Sequence, residues 1–356
     1  MFDLLSLWDV AVVFGVVLAM APYLGSYLGR VYLNRPAFGD TVLAPVERAI
    51  YRFLGTSPRQ SMRAGEYFVA LVLVNGFMAA WLFAWFSLQP SLPLNPGGTG
   101  PMTWDLAFHS AASFATNTDF VHFVSESALS EGTLVLAIQV AMFVSAATGL
   151  SVVAALVRGF IRKDGTVGNY YVDMVRTLTR VLLPIGLLGS LGFVLLGLPE
   201  TFGTPVVVHT LTGGTQTIVL GPVASFQSIS LFGSNGGGWY AANAASPLAN
   251  PSQASNLFGL GLMLLLPTSA PFAFAQIVRR PGEGLPFLAT SLAVLFVGIT
   301  LFLAFQTASN PDLAGVPGLT AGTNGYPVGQ ETRFSVAGGA AFQVVSVYAN
   351  VGASNM

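Results

Sequence analysis

The 356-residue chain has no cysteine, a single lysine (Lys163), and only 8% charged residues. Without cysteine there are no disulfides, thiolate metal sites or thiol nucleophiles. An ordinary globular chain is about 25% charged. With 53% hydrophobic residues and a mean hydropathy of +0.68, too few charges remain to clothe a water-facing surface, so the missing contact is with lipid. A soluble enzyme and a disordered chain are excluded, and a net charge of -1 gives no field to attract nucleic acid. No G-x-x-x-x-G-K-[ST] motif is present, and Lys163 has no glycine-rich cradle, so ATP chemistry is not expected of this chain. Nor does it hold a large domain for a phosphorylated aspartate.

What is abundant is long apolar runs. A bilayer core about 30 Å thick is crossed by roughly 20 helical residues. Six runs qualify: Val10–Gly29, Tyr67–Leu88, Gly132–Val157, Val181–Leu198, Asn256–Val278 and Leu285–Phe305. The first is too long for a signal peptide and has acidic residues before it (Asp3, Asp9), so it reads as a true span. Thirteen of the fourteen basic residues fall on alternate connections: Arg30 to Arg63 between spans one and two, Arg158 to Arg180 between three and four, and Arg279 and Arg280 between five and six. Basic flanks stay cytoplasmic. The N-terminus, Gln89–Glu131, Pro199–Ser255 and the tail after Gln306 are therefore expected outside. Val46, Ile50, Phe53 and Leu54 beside Arg48 and Arg52 predict an amphipathic interfacial helix.

The outward connections are too apolar for loops, for Thr201 to Val278 carries no Asp, Glu, Lys or Arg. Within it, Pro222–Phe232 forms as a helix only about 16 Å of length, half a bilayer, and predicts a re-entrant pore helix started by proline. Gly233-Ser-Asn-Gly-Gly-Gly238 follows, which no helix favours. The same order recurs at Trp104–Ala115 before Thr116-Asn-Thr-Asp119, and at Gly339–Ala349 before Asn350-Val-Gly-Ala353. The fold class expected is an all-α integral membrane protein of pore-loop repeats, with about six full spans and three re-entrant pore helices. Residues 1–65 hold the first span and the interfacial segment; 66–165 and 166–283 are repeats one and two, and 284–356 is an incomplete third.

Irregular backbone at membrane depth is tolerated only where protein or a water-filled cavity satisfies it. A Gly, Thr and Asn segment held there can turn carbonyl oxygens to an axis and replace the water shell of a monovalent cation. Neutral oxygens suit K⁺, whereas Mg²⁺ and Ca²⁺ call for carboxylates. Thr116, Thr118 and Ser234 add hydroxyls; Asn117, Asn235 and Asn350 can brace backbone; Asp119 is placed to concentrate cations at the mouth. Gly236 is expected to sit close to the ion with its carbonyl inward. His109, His122 and His209 lack i, i+4 spacing and read as interfacial or satisfied polar groups rather than metal ligands. Glu126 and Glu131 read as solvated loop charges.

These motifs resemble those of the potassium-binding component of the Kdp-type potassium-transporting ATPase. The matching stretches are Ser113-Phe-Ala-Thr-Asn-Thr118, Phe143-Val-Ser-Ala-Ala-Thr-Gly149, Leu156-Val-Arg-Gly-Phe160, Gly221-Pro-Val-Ala-Ser225 and Gly233-Ser-Asn-Gly-Gly-Gly238, with Asn243 beyond. The resemblance runs from the first span to the last residue. It implies four pseudo-symmetric pore-loop repeats around one K⁺-selective pore in the cell membrane. It also implies a P-type ATPase subunit that hydrolyses ATP and small accessory membrane subunits, with no organic cofactor.

The filter residues it implies are Thr116, Asn117, Thr118 and Asp119, then Ser234, Asn235 and Gly236, then Asn350, Val351 and Gly352. The family usually has Asn at Asp119, Thr at Ser234 and Ser-Cys at Asn350-Val351, and a polar residue where Phe120-Val121 stand. These departures bear on affinity and ion preference rather than architecture. The resemblance places a fourth repeat beyond Met356, so the chain is expected to be a fragment or to need completion. The competing readings are a self-sufficient K⁺ channel or ion-coupled transporter of the same superfamily, and a non-transporting scaffold whose glycines only pack helices.

Overall fold

The protein is described by a computed structural model over residues 4–308, Asp312, Val316 and 329–356. Asp3 and most of the expected outward tail between Gln306 and the third pore helix lie outside the described residues. Among the described residues six helices are long and apolar enough to cross a membrane, and the chain is an all-α integral membrane protein. They are α1 (Leu4–Tyr32), α3 (Ala64–Leu88), α5 (Thr133–Ile161), α6 (Tyr170–Leu195), α8 (Gln253–Val278) and α9 (Gly284–Thr307). The interfacial helix is α2 (Asp40–Phe53), with Phe53 89% and Val46 52% exposed while Glu47 and Tyr51 face inward.

Span four departs from the sequence reading. Apolarity puts its start at Val181, but the helix begins at Tyr170 and carries Asp173, Arg176 and Arg180. Each charge has a partner. Asp173 pairs with Arg158 of α5, Arg176 donates to Val31 O of α1 at 3.2 Å, and Arg180 pairs with Glu47 (2.5 Å) and Asp40 of α2. Paired charges lower the cost of burial, so the helix continues where an isolated arginine would have ended it. The connection after α5 is correspondingly short, and its β2 (Thr166–Gly168) pairs antiparallel with β1 (Met62–Arg63). On the opposite side, β3 (Val206–His209) and β4 (Thr215–Ile218) form a hairpin that the apolar-run pattern gave no sign of.

The central spans are α5 and α8, each 56% buried over its most apolar window, against 11% for α9. The remaining spans turn apolar side chains outward, as helices in lipid do. Pro267 and Pro271 interrupt the hydrogen-bond ladder inside α8, and the Thr268 hydroxyl donates to Leu264 O at 2.8 Å. Helix α1 packs closely along α8 through Gly25 and Gly29: a Cβ at Gly25 would stand 2.5 Å from Ser269 O. Without a hydrophobic drive between helices in lipid, such close backbone approach is what holds spans together.

The pore helices are α4 (Trp104–Ala115), α7 (Val223–Phe232) and α10 (Val336–Tyr348). At 12, 10 and 13 residues, none exceeds about two-thirds of a bilayer core. Pro222 stands just before α7 rather than inside it. Helix α10 starts three residues before the expected Gly339 because Ser335 caps it, accepting from Gly338 N at 3.0 Å.

Candidate ion filter

All three pore helices end in one backbone pattern. Left-handed conformations occur at Asn117 and Asp119 (φ 56° and 54°), Ser234 and Gly236 (57° and 70°), and Asn350 and Gly352 (55° and 80°). In every copy the two residues lie two apart. Asparagine tolerates this region and glycine is at ease there, whereas Asp119 and Ser234 are held in it by their surroundings.

What holds them is a serine one turn back in each pore helix. Ser113 O accepts from Thr118 N (3.0 Å) and Asp119 N (3.3 Å); Ser230 O from Asn235 N (2.9 Å) and Gly236 N (3.0 Å); Ser346 O from Val351 N (2.8 Å) and Gly352 N (3.5 Å). The serine hydroxyls reach further along. Ser113 Oγ accepts from Phe120 N at 2.7 Å, Ser230 Oγ donates to Gly237 O at 2.6 Å, and Ser346 Oγ donates to Ala353 O at 2.7 Å. The clamp serines are fully buried or nearly so.

Carbonyl direction follows from peptide geometry. In a trans peptide the C=O of one residue points opposite to the N–H of the next, and no peptide here is cis. Because those paired N–H groups aim back at the pore helix, the carbonyls of Asn117 and Thr118, Ser234 and Asn235, and Asn350 and Val351 aim away from it. Among the described residues, the Thr118, Asn235 and Val351 carbonyls accept no hydrogen bond. Three neutral oxygens at matching positions are thus without a hydrogen-bond donor among the described residues.

The segments touch one another. Asn117 Nδ2 donates to Ser234 O at 2.8 Å, and Ser234 Oγ donates to Ala349 O at 3.0 Å, so each side chain grips the next segment's backbone. A Cβ at Gly236 would overlap the Val351 carbonyl. Two cavities of about 260 Å³ each flank the segments. One is lined by Asn117, Gly233, Ser234, Ser145 of α5 and Pro267 of α8; the other by Thr118, Asp119, Asn235, Gly236, Val351 and Gly352. Every filter residue expected from sequence except Thr116 and Asn350 lines one of them. The Thr116 and Thr118 hydroxyls bond each other at 2.8 Å.

Some expectations need correction. The Gly236 carbonyl, expected to aim at the ion, accepts from the Asn243 side chain, which leaves its second lone pair for another partner. Asn235 braces from behind, its amide toward Met142 O and Ile229 O at 3.4 and 3.5 Å. Glu131 is buried, 6% exposed, and Glu126 accepts from Ala241 N at 2.8 Å, so neither is a free loop charge. Both Asp119 carboxylate oxygens are buried without a hydrogen-bond partner among the described residues. The rings of His109 and His122 meet at 4.7 Å despite their spacing. The clamp serines escape a reading by composition and apolarity. Their signal is a serine four residues before the first left-handed position in all three copies: Ser113-Phe-Ala-Thr-Asn117, Ser230-Leu-Phe-Gly-Ser234 and Ser346-Val-Tyr-Ala-Asn350.

Six apolar spans with short helices whose irregular ends adjoin between two cavities define a multi-pass integral membrane protein. The chain matches the potassium-transporting ATPase A subunit family over residues 11–356 and belongs to it. Among similar proteins, the potassium-transporting ATPase potassium-binding subunit of Mesorhizobium japonicum is 40% identical over 352 residues, 98% of this chain and 61% of that protein. Those of a Nostoc species and an Anabaena species are each 37% identical, over 96% and 99% of this chain. The chain spans 60 to 62% of the length of these relatives.

Proposed function

We propose that this chain selects and translocates K⁺ within an ATP-driven import complex, with residues 66–165, 166–283 and 284–356 as successive pore-loop repeats. The observation that carries the proposal is the threefold equivalence of Thr118, Asn235 and Val351, whose unspent neutral carbonyls point away from their pore helices. Neutral oxygens at a constriction replace the hydration of a weakly hydrated monovalent ion. The family and the names of the relatives support the same ion. The ligands are drawn from Thr116, Asn117, Thr118, Asp119, Ser234, Asn235, Gly236, Asn350, Val351 and Gly352, with Gly236 also shaping their packing. ATP hydrolysis falls to a P-type ATPase subunit in the same membrane, assisted by small accessory subunits.

With those subunits and the remaining length of the relatives supplied, the complex is expected to show ATPase activity that rises with K⁺ and not with Na⁺. Activity indifferent to K⁺ would refute the proposal, and K⁺ flux through this chain without any ATPase partner would favour the self-sufficient channel.

The filter segments face the cell exterior in this reading. Cysteine at the exposed Thr215 is expected to react with an impermeant thiol reagent added to intact cells, while cysteine at the exposed Lys163 reacts only after permeabilisation. No native cysteine interferes. Labelling in the reverse order would invert the topology.

A further inference from the structure

We infer that Ser145, which lies on span α5 and outside every filter segment, is a positioning residue for ion selection. Its side chain is buried, at 4% exposure. The Oγ lies 2.7 Å from Asn117 Oδ1, 3.2 Å from Asn235 Oδ1 and 3.4 Å from Met142 O. A hydroxyl has one proton to give, and the Asn117 contact is much the shortest. The Asn117 amide is thereby fixed at both ends. Its Nδ2 must face the Ser234 carbonyl, which can only accept, so its Oδ1 faces Ser145, which donates.

The consequence spreads beyond the first segment. Asn117 holds the Ser234 carbonyl, and the Ser234 hydroxyl holds the Ala349 carbonyl at 3.0 Å, so the orientation set by Ser145 passes from the first segment to the second and then the third. Ser145, Asn117 and Ser234 line the same 260 Å³ cavity. Removing the Ser145 hydroxyl leaves the amide oxygen of Asn117 without its donor, so the amide is held at its Nδ2 end alone. Its grip on Ser234 O is then less sharply aimed, and the spacing between segments loosens. Looser carbonyls discriminate less sharply between ions of similar size.

This inference rests on the K⁺ reading above, and its test separates the two. In the assembled complex, Ser145→Ala is expected to raise the K⁺ concentration for half-maximal ATPase stimulation about tenfold, the scale of one lost hydrogen bond to a buried acceptor. The preference for K⁺ over Rb⁺ should narrow, with maximal velocity within about twofold of the parent, since the hydroxyl positions the filter and takes no part in hydrolysis. Ser145→Thr keeps the hydroxyl and should restore affinity and preference. A Ser145→Ala complex with unchanged K⁺ affinity and ion preference would overturn the inference, as would a fall in maximal velocity alone, which marks a merely structural role. A parent complex without K⁺ stimulation would overturn the K⁺ reading, and the inference with it.

Discussion

Gly236→Asp is expected to abolish high-affinity K⁺ stimulation of the assembled complex, raising the half-maximal K⁺ concentration by more than about a hundredfold, whereas Gly213→Asp leaves it unchanged. The two glycines share a backbone conformation, with φ +70° at Gly236 and +85° at Gly213, so any side chain carries a similar local strain of about 1–2 kcal/mol at either. Their surroundings differ. A Cβ at Gly236 would overlap the Val351 carbonyl oxygen and lie 2.7 Å from its carbon, so the third segment must move. A Cβ at Gly213, in the turn between β3 and β4, meets nothing within 4 Å. On the proposed reading, aspartate also brings a charge beside the neutral oxygens that would replace the ion's water. Titrating K⁺ against ATPase activity for both variants decides the matter. Equal, negligible effects would reduce the triglycine to a turn.

The second large effect is on stability. Arg158 and Asp173 form a doubly bonded ion pair between α5 and α6, 2% and 4% exposed. Asp173 also accepts from the Tyr67 hydroxyl of α3 at 3.0 Å, and Arg158 donates to Tyr32 O of α1 at 3.2 Å. Arg158→Ala leaves the Asp173 carboxylate buried and uncompensated, which costs about 3–5 kcal/mol. Thermal unfolding in detergent should shift down sharply. Arg158→Met with Asp173→Leu removes both charges and is expected to recover most of the loss, for the Tyr67 hydroxyl still has Ser151 O at 2.9 Å. A double variant as unstable as the single one would show that the pair, and not the orphaned charge, carries the stability.

Where structure depends on local properties, it was legible in the chain. The six spans are runs long and apolar enough for a bilayer, and their edges fall within a few residues of the helices, apart from α6. The pore helix over Trp104–Ala115 has the bounds expected from its length and the polar run after it. Recurrence of a short helix followed by Thr116-Asn-Thr-Asp, Ser234-Asn-Gly and Asn350-Val-Gly marked the segments that the structure brings together. Helix α6 escaped because its first turns carry Asp173, Arg176 and Arg180, and apolarity alone cannot tell a solvated charge from one with a buried partner. The hairpin β3–β4 left its mark only in the Gly213-Gly214 turn between two short runs, Val206–His209 and Thr215–Ile218, which apolarity alone passes over.

Composition and local pattern alone place the chain in a membrane, with six runs long and apolar enough to cross it and a half-length helix followed by a small-residue polar segment three times over, because bilayer thickness, apolarity and turn chemistry act within about twenty residues. Tertiary structure alone decided which groups the bent segments share. Asn117 meets Ser234 across 117 residues of chain, Ser234 meets Ala349 across 115, and Ser145 meets Asn235 across 90. Arg180 finds Glu47 across 133 residues. Pairings at such separations depend on how spans pack through sites such as Gly25 and on the carbonyls each backbone has already spent, and neither leaves a local pattern in the chain.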